Sequence, residues 1–267
     1  MPAENVYGHR RKVELLRESI DALRTRERPN LSILDAGCGS GYAVTRFLAR
    51  QGDRVTGIDM YAPAIAYAQS RFGGKELGFE CVDLADMQER SGTYDVVVLA
   101  DVLEHLHDPQ SVLVEAARMV TPNGRLLLSI PNGFGPFEIE SAVARLPLAG
   151  PALVKLTDLA VATLDHTVAR GRWSRAASVE PADVPYNEES GHVRFFTPSI
   201  IDRTLAEAGW GIDEWRNLSW LSGPFTNYWW APSTTFCEWN ARIAERLPKH
   251  LVSAWFIVCG RREASSS

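Results

Sequence analysis

Cysteine is scarce in this chain and is not clustered. Only four occur in 267 residues, Cys38, Cys81, Cys237 and Cys259, and no two stand in CxxC spacing, which argues against a disulfide framework or a thiolate zinc cluster. They read as reduced thiols, which points to the cytoplasm. Long apolar runs are missing as well. No stretch approaches the roughly 18 uncharged residues of a membrane span, and Met1-Pro2-Ala3-Glu4-Asn5 lacks the apolar core of a secretory signal. Basic blocks stop at the triplet Arg10-Arg11-Lys12 and the net charge is −5, so an extended phosphate backbone, and hence a nucleic-acid partner, is not expected. Internal repeats and low-complexity segments are absent too, which excludes a solenoid.

What remains is 45% apolar and 23% charged, the balance of one soluble globular domain over residues 1–267. The most informative segment is Ile33-Leu34-Asp35-Ala36-Gly37-Cys38-Gly39-Ser40-Gly41, an apolar stub ending in an acid and three alternate glycines. Such glycines let backbone turn sharply and approach a ligand more closely than a Cβ permits. Asp59 closes the next apolar run, Arg54-Val55-Thr56-Gly57-Ile58-Asp59, 18 residues after Gly41, where an acid accepts hydrogen bonds from ribose hydroxyls. The pair predicts a nucleoside-bearing cofactor at the end of a buried parallel strand. A nicotinamide-dinucleotide domain is the competing reading, but its glycines follow GxGxxG rather than the alternation seen here.

Strand and helix patterns alternate along the chain. An amphipathic helix over 9–25 is followed by strand 31–35, helix 42–51, strand 54–59, helix 63–72 and strand 79–82; then come strand 94–99, a helix opened by Asp108-Pro109, and strand 125–130. Continuous Val/Leu runs between helices describe strands buried on both faces, hence a doubly wound α/β sheet. Residues 133–190, rich in proline, break the rhythm and read as a lid and substrate insertion. The pattern resumes over 191–262 with a helix from Thr197-Pro198 to Ala208, a strand near 211–218, an aromatic excursion over 220–247 and a last strand at 251–258.

Asp35-x-Gly37-x-Gly39-x-Gly41, Asp59, the strand end Cys81-Val82-Asp83-Leu84, the strand Tyr94 to Ala100 and the helix and turn Leu113 to Asn123 resemble, in order and spacing, the class I S-adenosylmethionine-dependent methyltransferases. The resemblance covers residues 30–132 well, the cofactor-binding core, and 191–260 loosely. It implies a Rossmann-like seven-stranded sheet of order 3-2-1-4-5-7-6 with the last strand antiparallel. It further implies that Gly37 and Gly39 lie under the methionine part of S-adenosylmethionine, with Asp35, Cys38, Gly41 and Met60 also in the cofactor site. In the same way Asp59 holds the ribose hydroxyls, Asp83 and Leu84 meet the adenine, and Ala100 lines the loop near the methyl donor; an ordinary strand-end cap or turn residue is the alternative for Asp83. Arg10 suits the methionine carboxylate, or equally a solvated helix start.

Methyl transfer needs an aligned nucleophile and removal of its proton. After the fourth strand stands Asp101-Val102-Leu103-Glu104-His105, in which a helical turn would bring Asp101, Glu104 and His105 together. This string is similar to the metal site of small-RNA 2′-O-methyltransferases and of ubiquinone-biosynthesis O-methyltransferases, the nearest family, with Asp101 one methylene shorter than the Glu expected there. His192, in His192-Val193-Arg194-Phe195-Phe196, resembles the segment that delivers a second histidine. The implied roles are catalysis by Glu104, His105 and His192, with a divalent cation (magnesium, manganese or zinc) on Asp101, Glu104, His105 and His192; the alternative is a metal-free helix cap and pocket wall. Asn132, Phe134 and Glu138 follow the fifth strand, where substrates of such sheets sit.

In 151–169 the stripe Leu153, Leu156, Ala160, Leu164 and Val168 predicts a lid helix, with a membrane-surface or partner-docking helix as the other reading. The eight tryptophans, several of them in 220–247, suit packing, an acceptor pocket or a homodimer interface. The expected activity is O-methylation of a small-molecule quinol, phenol, sugar or lipid-linked intermediate. N- or C-methylation, or a non-catalytic binding module, are the alternatives.

Overall fold

The computed structural model describes residues 6–89, 92–164, 166–167, 184–187, 191–223, 225–226 and 234–262. The chain forms two compact units, one of residues 12–130, 183–215 and 256–267 and the other of 1–11, 131–182 and 216–255. A seven-stranded sheet has the order β3-β2-β1-β4-β5-β7-β6, its strands being β1 (Ser32–Ala36), β2 (Arg54–Asp59), β3 (Leu77–Cys81), β4 (Tyr94–Ala100), β5 (Val120–Pro131), β6 (Trp210–Ser219) and β7 (Ala254–Arg261). β1 to β5 pair in parallel and β7 runs antiparallel, the predicted order. Helices α1 (Val6–Ala22), α2 (Ala62–Phe72), α3 (Pro109–Met119) and α6 (Pro198–Glu207) are predicted to within three residues.

The central strands are apolar on both faces because both faces are covered. Ile33, Leu34, Val96, Val97, Val98, Leu99, Leu126, Leu127 and Leu128 are all fully buried, which is the parallel-sheet pattern. Register sets the site: Asp35 pairs with Gly57 on one side and Val98 on the other, and Ala100 pairs with Ser129. The carboxyl ends of β1, β2, β4 and β5 therefore open at one level, where ligands of such sheets bind.

Three sequence expectations change. The helix expected at 42–51 is a single 3-10 turn, Thr45–Phe47. Its N–H groups bond three residues back, Phe47 to Val44 at 2.9 Å and Leu48 to Thr45 at 3.0 Å, while Arg46 N–H reaches Gly41 O. The Thr45 hydroxyl turns into the core instead, and the glycine loop, not α geometry, directs the segment. β5 begins early, at Val120, because Tyr94 pairs with Val120 before a register shift places Arg125 opposite Val96. The last strand starts later than expected, since Lys249–Leu251 form a 3-10 turn after Pro248.

In the other unit, α4 (Pro136–Ala144) and α5 (Ala149–Leu164) follow β5, and α7 (Thr234–Arg246) precedes β7. Glu140 of α4 accepts from the N–H groups of Phe225 and Thr226, at 3.0 and 3.1 Å, and from the Thr226 hydroxyl. Asn240 of α7 accepts from Trp220 and Leu221 N–H and donates to Leu221 O. These part-buried bonds consume polar groups that irregular backbone would otherwise leave unpaired. On the predicted α5 stripe Leu153 and Leu156 are exposed and Ala160 is half-buried; the Leu164 side chain and Val168 lie outside the described residues, as do Trp229 and Trp230.

Candidate active site

The glycine loop sits on the end of β1 and is held against β2. Gly37 and Cys38 both donate to Ile58 O, at 2.8 and 2.9 Å, and Gly41 N–H closes the loop on Cys38 O. Gly37 and Gly39 have φ of +81° and +54°, a region open to glycine without strain. A Cβ at Gly37 would strike Val102 Cγ2 at 2.6 Å, whereas one at Gly39 would meet nothing within 4 Å. Gly39 thus faces open space, a cradle that any side chain would fill. Asp59, at the end of β2, accepts from Gly39 N–H at 2.8 Å through one oxygen and from Tyr61 N–H at 2.9 Å through the other.

Asp35 is fully buried and takes the Thr45 hydroxyl at 2.7 Å. Burial pushes its carboxyl up to about 6, the Thr45 bond and Lys12 opposing and Asp59 reinforcing the shift. Burial, with Asp35 and Asp59 nearby, also pushes the Cys38 thiol up, so this cysteine is a packed thiol and not a nucleophile. Asp83 is exposed and its Oδ1 accepts from Ala85 N–H at 2.9 Å, capping the 3-10 turn Leu84–Glu89, with Leu84 buried behind it. Met60 is 63% exposed beside the loop, and Ala100 is half-buried as the last residue of β4. Arg10 is on α1, its side chain outside the described residues.

After β4 the chain turns through Asp101, which has φ +56°, a left-handed setting that Asp tolerates better than most residues. Val102 lands on Gly37, and Leu103–His105 form a 3-10 turn that buries Glu104. The segment around His192 docks by backbone: Val193 and Arg194 N–H both donate to Glu104 O, at 2.9 and 3.0 Å. Gly191 O accepts from His105 Nδ1 at 3.1 Å, which leaves Nε2 as the basic nitrogen. The His105 and His192 rings meet edge to face with centroids 5.0 Å apart.

Glu104, His105 and His192 thereby present one carboxylate oxygen and two imidazole nitrogens within 4.8 Å of one another, a donor set that suits a divalent transition metal. The structure brings three of the four anticipated ligands together and does not bring Asp101. Its left-handed turn breaks the helical continuity that would have aligned it, and its carboxylate goes to Lys12 and to the Ser129 hydroxyl at 2.8 Å.

Of the anticipated substrate residues, Asn132 is buried and spends its amide on its own unit. Nδ2 donates to Val252 O at 2.7 Å and His250 O at 3.2 Å, and Oδ1 accepts from Phe134 N–H. Phe134 is 66% exposed and Glu138 is buried. Sequence reasoning overlooked Lys12, although its spacing carried a signal: Lys12, Leu16 and Ile20 fall four apart, placing a lysine on the apolar face of α1. Ser129, inside an apolar strand run, was equally visible.

Residues 7–214 match the family described as Methyltransferase domain. The chain is 37% identical over 103 residues to a ubiquinone biosynthesis O-methyltransferase of Cronobacter sakazakii, covering 38% of this chain and 42% of that relative. To the protein of the same name from Pseudomonas paraeruginosa it is 31% identical over 175 residues, covering 61% of this chain and 72% of the relative. Among solved structures, magnesium protoporphyrin IX methyltransferase from Synechocystis PCC 6803 with bound SAH is similar at a TM-score of 0.53 and 18% identity, with 97% of this chain and 85% of that chain covered. The (4+2)-cyclase SpnF is similar at 0.55 and 16%, covering 96% and 82%. At such identities the two structures speak for the fold alone.

Proposed function

This chain belongs to the methyltransferase-domain family, and from that membership we propose that it moves the sulfonium methyl group of S-adenosylmethionine to a hydroxyl of a small acceptor. One observation carries the reading: the Gly37–Gly41 loop with Asp59, and the Glu104, His105 and His192 group, are joined by the contact of Val102 on Gly37. A nucleoside cradle and a proton-accepting cluster thus share one edge of the sheet.

Held there, S-adenosylmethionine would supply an activated methyl carbon, exchanging its bond to sulfur for one to the acceptor oxygen to give a thioether and a methyl ether. The chain's own residues do the rest. Asp59 accepts the ribose hydroxyls, and the open face over Gly39 admits the amino-acid end. The loop N–H groups bonded to Ile58 O keep that surface rigid, so reacting atoms meet in line. His105, oriented by Gly191 O, takes the hydroxyl proton on Nε2, with Glu104 3.9 Å away to stabilise the imidazolium. As the alternative to His105 acting as base, Glu104, His105 and His192 would hold a divalent cation of the manganese or zinc kind, His105 through that same Nε2, and the cation would then lower the pKa of a coordinated hydroxyl in its place.

The names of the relatives favour oxygen as the acceptor atom, and a quinol or phenol as the acceptor. The test is incubation of the purified protein with labelled S-adenosylmethionine and quinol or catechol acceptors, with and without chelator, followed by mass spectrometry. Label in a methyl ether supports the reading. Label appearing only on nitrogen or carbon, or cofactor binding without any turnover, overturns it.

A further inference from the structure

The ion pair of Lys12 and Asp101 has no part in the chemistry just described, yet it lies at the joint between the two halves of the site. The lysine is 5% exposed, on the apolar face of α1, where a buried polar head has to find a partner. Its Nζ donates to Asp101 Oδ2, and Asp101 Oδ1 accepts from Ser129 Oγ at 2.8 Å. Asp101 N–H adds a bond to Ser129 O at 2.9 Å. Three bonds therefore converge on one residue held at φ +56°. A left-handed non-glycine residue persists where its surroundings over-determine it. Immediately after it come Val102, which touches the cofactor loop at Gly37, and Glu104 and His105, which meet His192.

We propose that Lys12 is a positioning residue: by clamping Asp101 it locks the turn after β4 in the setting that seats Val102 on the glycine loop and delivers Glu104 and His105 to His192. This rests on the preceding reading of the site. Asp101, in place of the longer Glu that the resembling metal-site pattern carries, is used by this chain as the anchor of the turn.

The test reads binding and ring environment rather than turnover. Calorimetric titration with S-adenosylhomocysteine and the NMR signals of the His105 and His192 rings are followed in wild type, Lys12→Met, Lys12→Arg, Asp101→Asn, Ser129→Ala and the double variant Lys12→Met/Asp101→Asn. Lys12→Met removes the buried charge and leaves Asp101, whose side chain is 37% exposed, to water, so the fold is retained. Expected are an affinity loss of about tenfold and displaced signals of both rings in Lys12→Met, restoration in Lys12→Arg, and a smaller change of the same direction in Ser129→Ala. The double variant should be no weaker than its worse parent, because residues in one network couple. Lys12→Met with unchanged ring signals and affinity overturns the proposal, as do defects that multiply in the double variant. Should Lys12→Met fail to fold, Ser129→Ala with wild-type ring signals overturns it. Failure of wild type itself to bind S-adenosylhomocysteine would instead defeat the cofactor reading.

Discussion

The hydroxyl of Thr45 donates to Asp35 across 2.7 Å inside the sheet's edge, and neither residue has measurable contact with solvent. A carboxyl so placed is held up to about 6 by burial, above its ordinary 3.8. A raised carboxyl contributes stability that is fully present below the unfolded value and is lost as pH rises through the folded one. Asp35→Asn keeps the Thr45 bond and removes the titration. Its stability relative to wild type should therefore increase between pH 4 and 7, by on the order of 2–3 kcal/mol. Urea unfolding of both proteins across that range checks it, and parallel curves would contradict the assignment.

Gly37 and Gly39 should respond differently to alanine. At Gly37 the added methyl meets Val102 at 2.6 Å and a φ of +81°, so loss of stability of about 1–3 kcal/mol is expected together with loss of cofactor binding. At Gly39 the methyl has open space and only the φ of +54° resists it. Gly39→Ala should melt closer to wild type and yet bind S-adenosylhomocysteine at least as poorly. Thermal melts beside calorimetry separate the two.

Asp59 already accepts two backbone N–H groups, so its orientation is fixed before any ligand arrives. Asp59→Ala should weaken S-adenosylhomocysteine binding by about ten- to hundredfold, the worth of hydrogen bonds to a charged acceptor, and should also lower the melting temperature, since Gly39 and Tyr61 N–H lose their acceptor. An unchanged dissociation constant would remove Asp59 from the cofactor site.

Glu104→Gln and His192→Ala should each lower kcat by about 10²-fold or more while leaving S-adenosylhomocysteine affinity within about threefold. If a cation is used, chelator should abolish wild-type turnover and manganese or zinc should restore it. Turnover that ignores chelator while still collapsing in His192→Ala removes the cation and leaves His192 as a support of His105.

Away from the site, Arg24 makes two 2.7 Å bonds to Asp53, which is buried with its side chain fully covered. Burial by itself would raise that carboxyl, but Arg24 and the N–H groups of Leu31 and Arg50 outweigh it and hold it below its ordinary value. Its stability contribution is therefore present above the ordinary carboxylate range and is lost as pH falls through the depressed value. Arg24→Met should cost about 3 kcal/mol at pH 7 and less near pH 3. Denaturant titrations at the two pH values measure the difference.

The architecture was legible because its causes are local. The Val/Leu runs at 94–99 and 125–130 can only be doubly buried strands, and an alternate-glycine loop followed by an acid-terminated strand has few other uses. His192 was legible only through resemblance, since nothing near it in the chain announces its partner. The helix expected at 42–51 was misread for a physical reason: the glycine loop directs the segment, Arg46 N–H going to Gly41 O and Phe47 and Leu48 N–H closing bonds three residues back instead of a helical ladder.

Asp101 marks the boundary most sharply. Its place beside Glu104 and His105 is a property of the sequence, and so are the cofactor loop and the acidic end of β2, each set by residues within a few positions of one another; the order of strands came only through the resemblance. Which partner its carboxylate takes was decided only when α1 brought Lys12, and β5 brought Ser129, to the end of β4. A buried ammonium and a left-handed turn then drew the acid away from the histidines. Such a choice depends on groups 89 and 28 residues distant competing for one carboxylate, and no periodicity along the chain encodes the outcome of that competition.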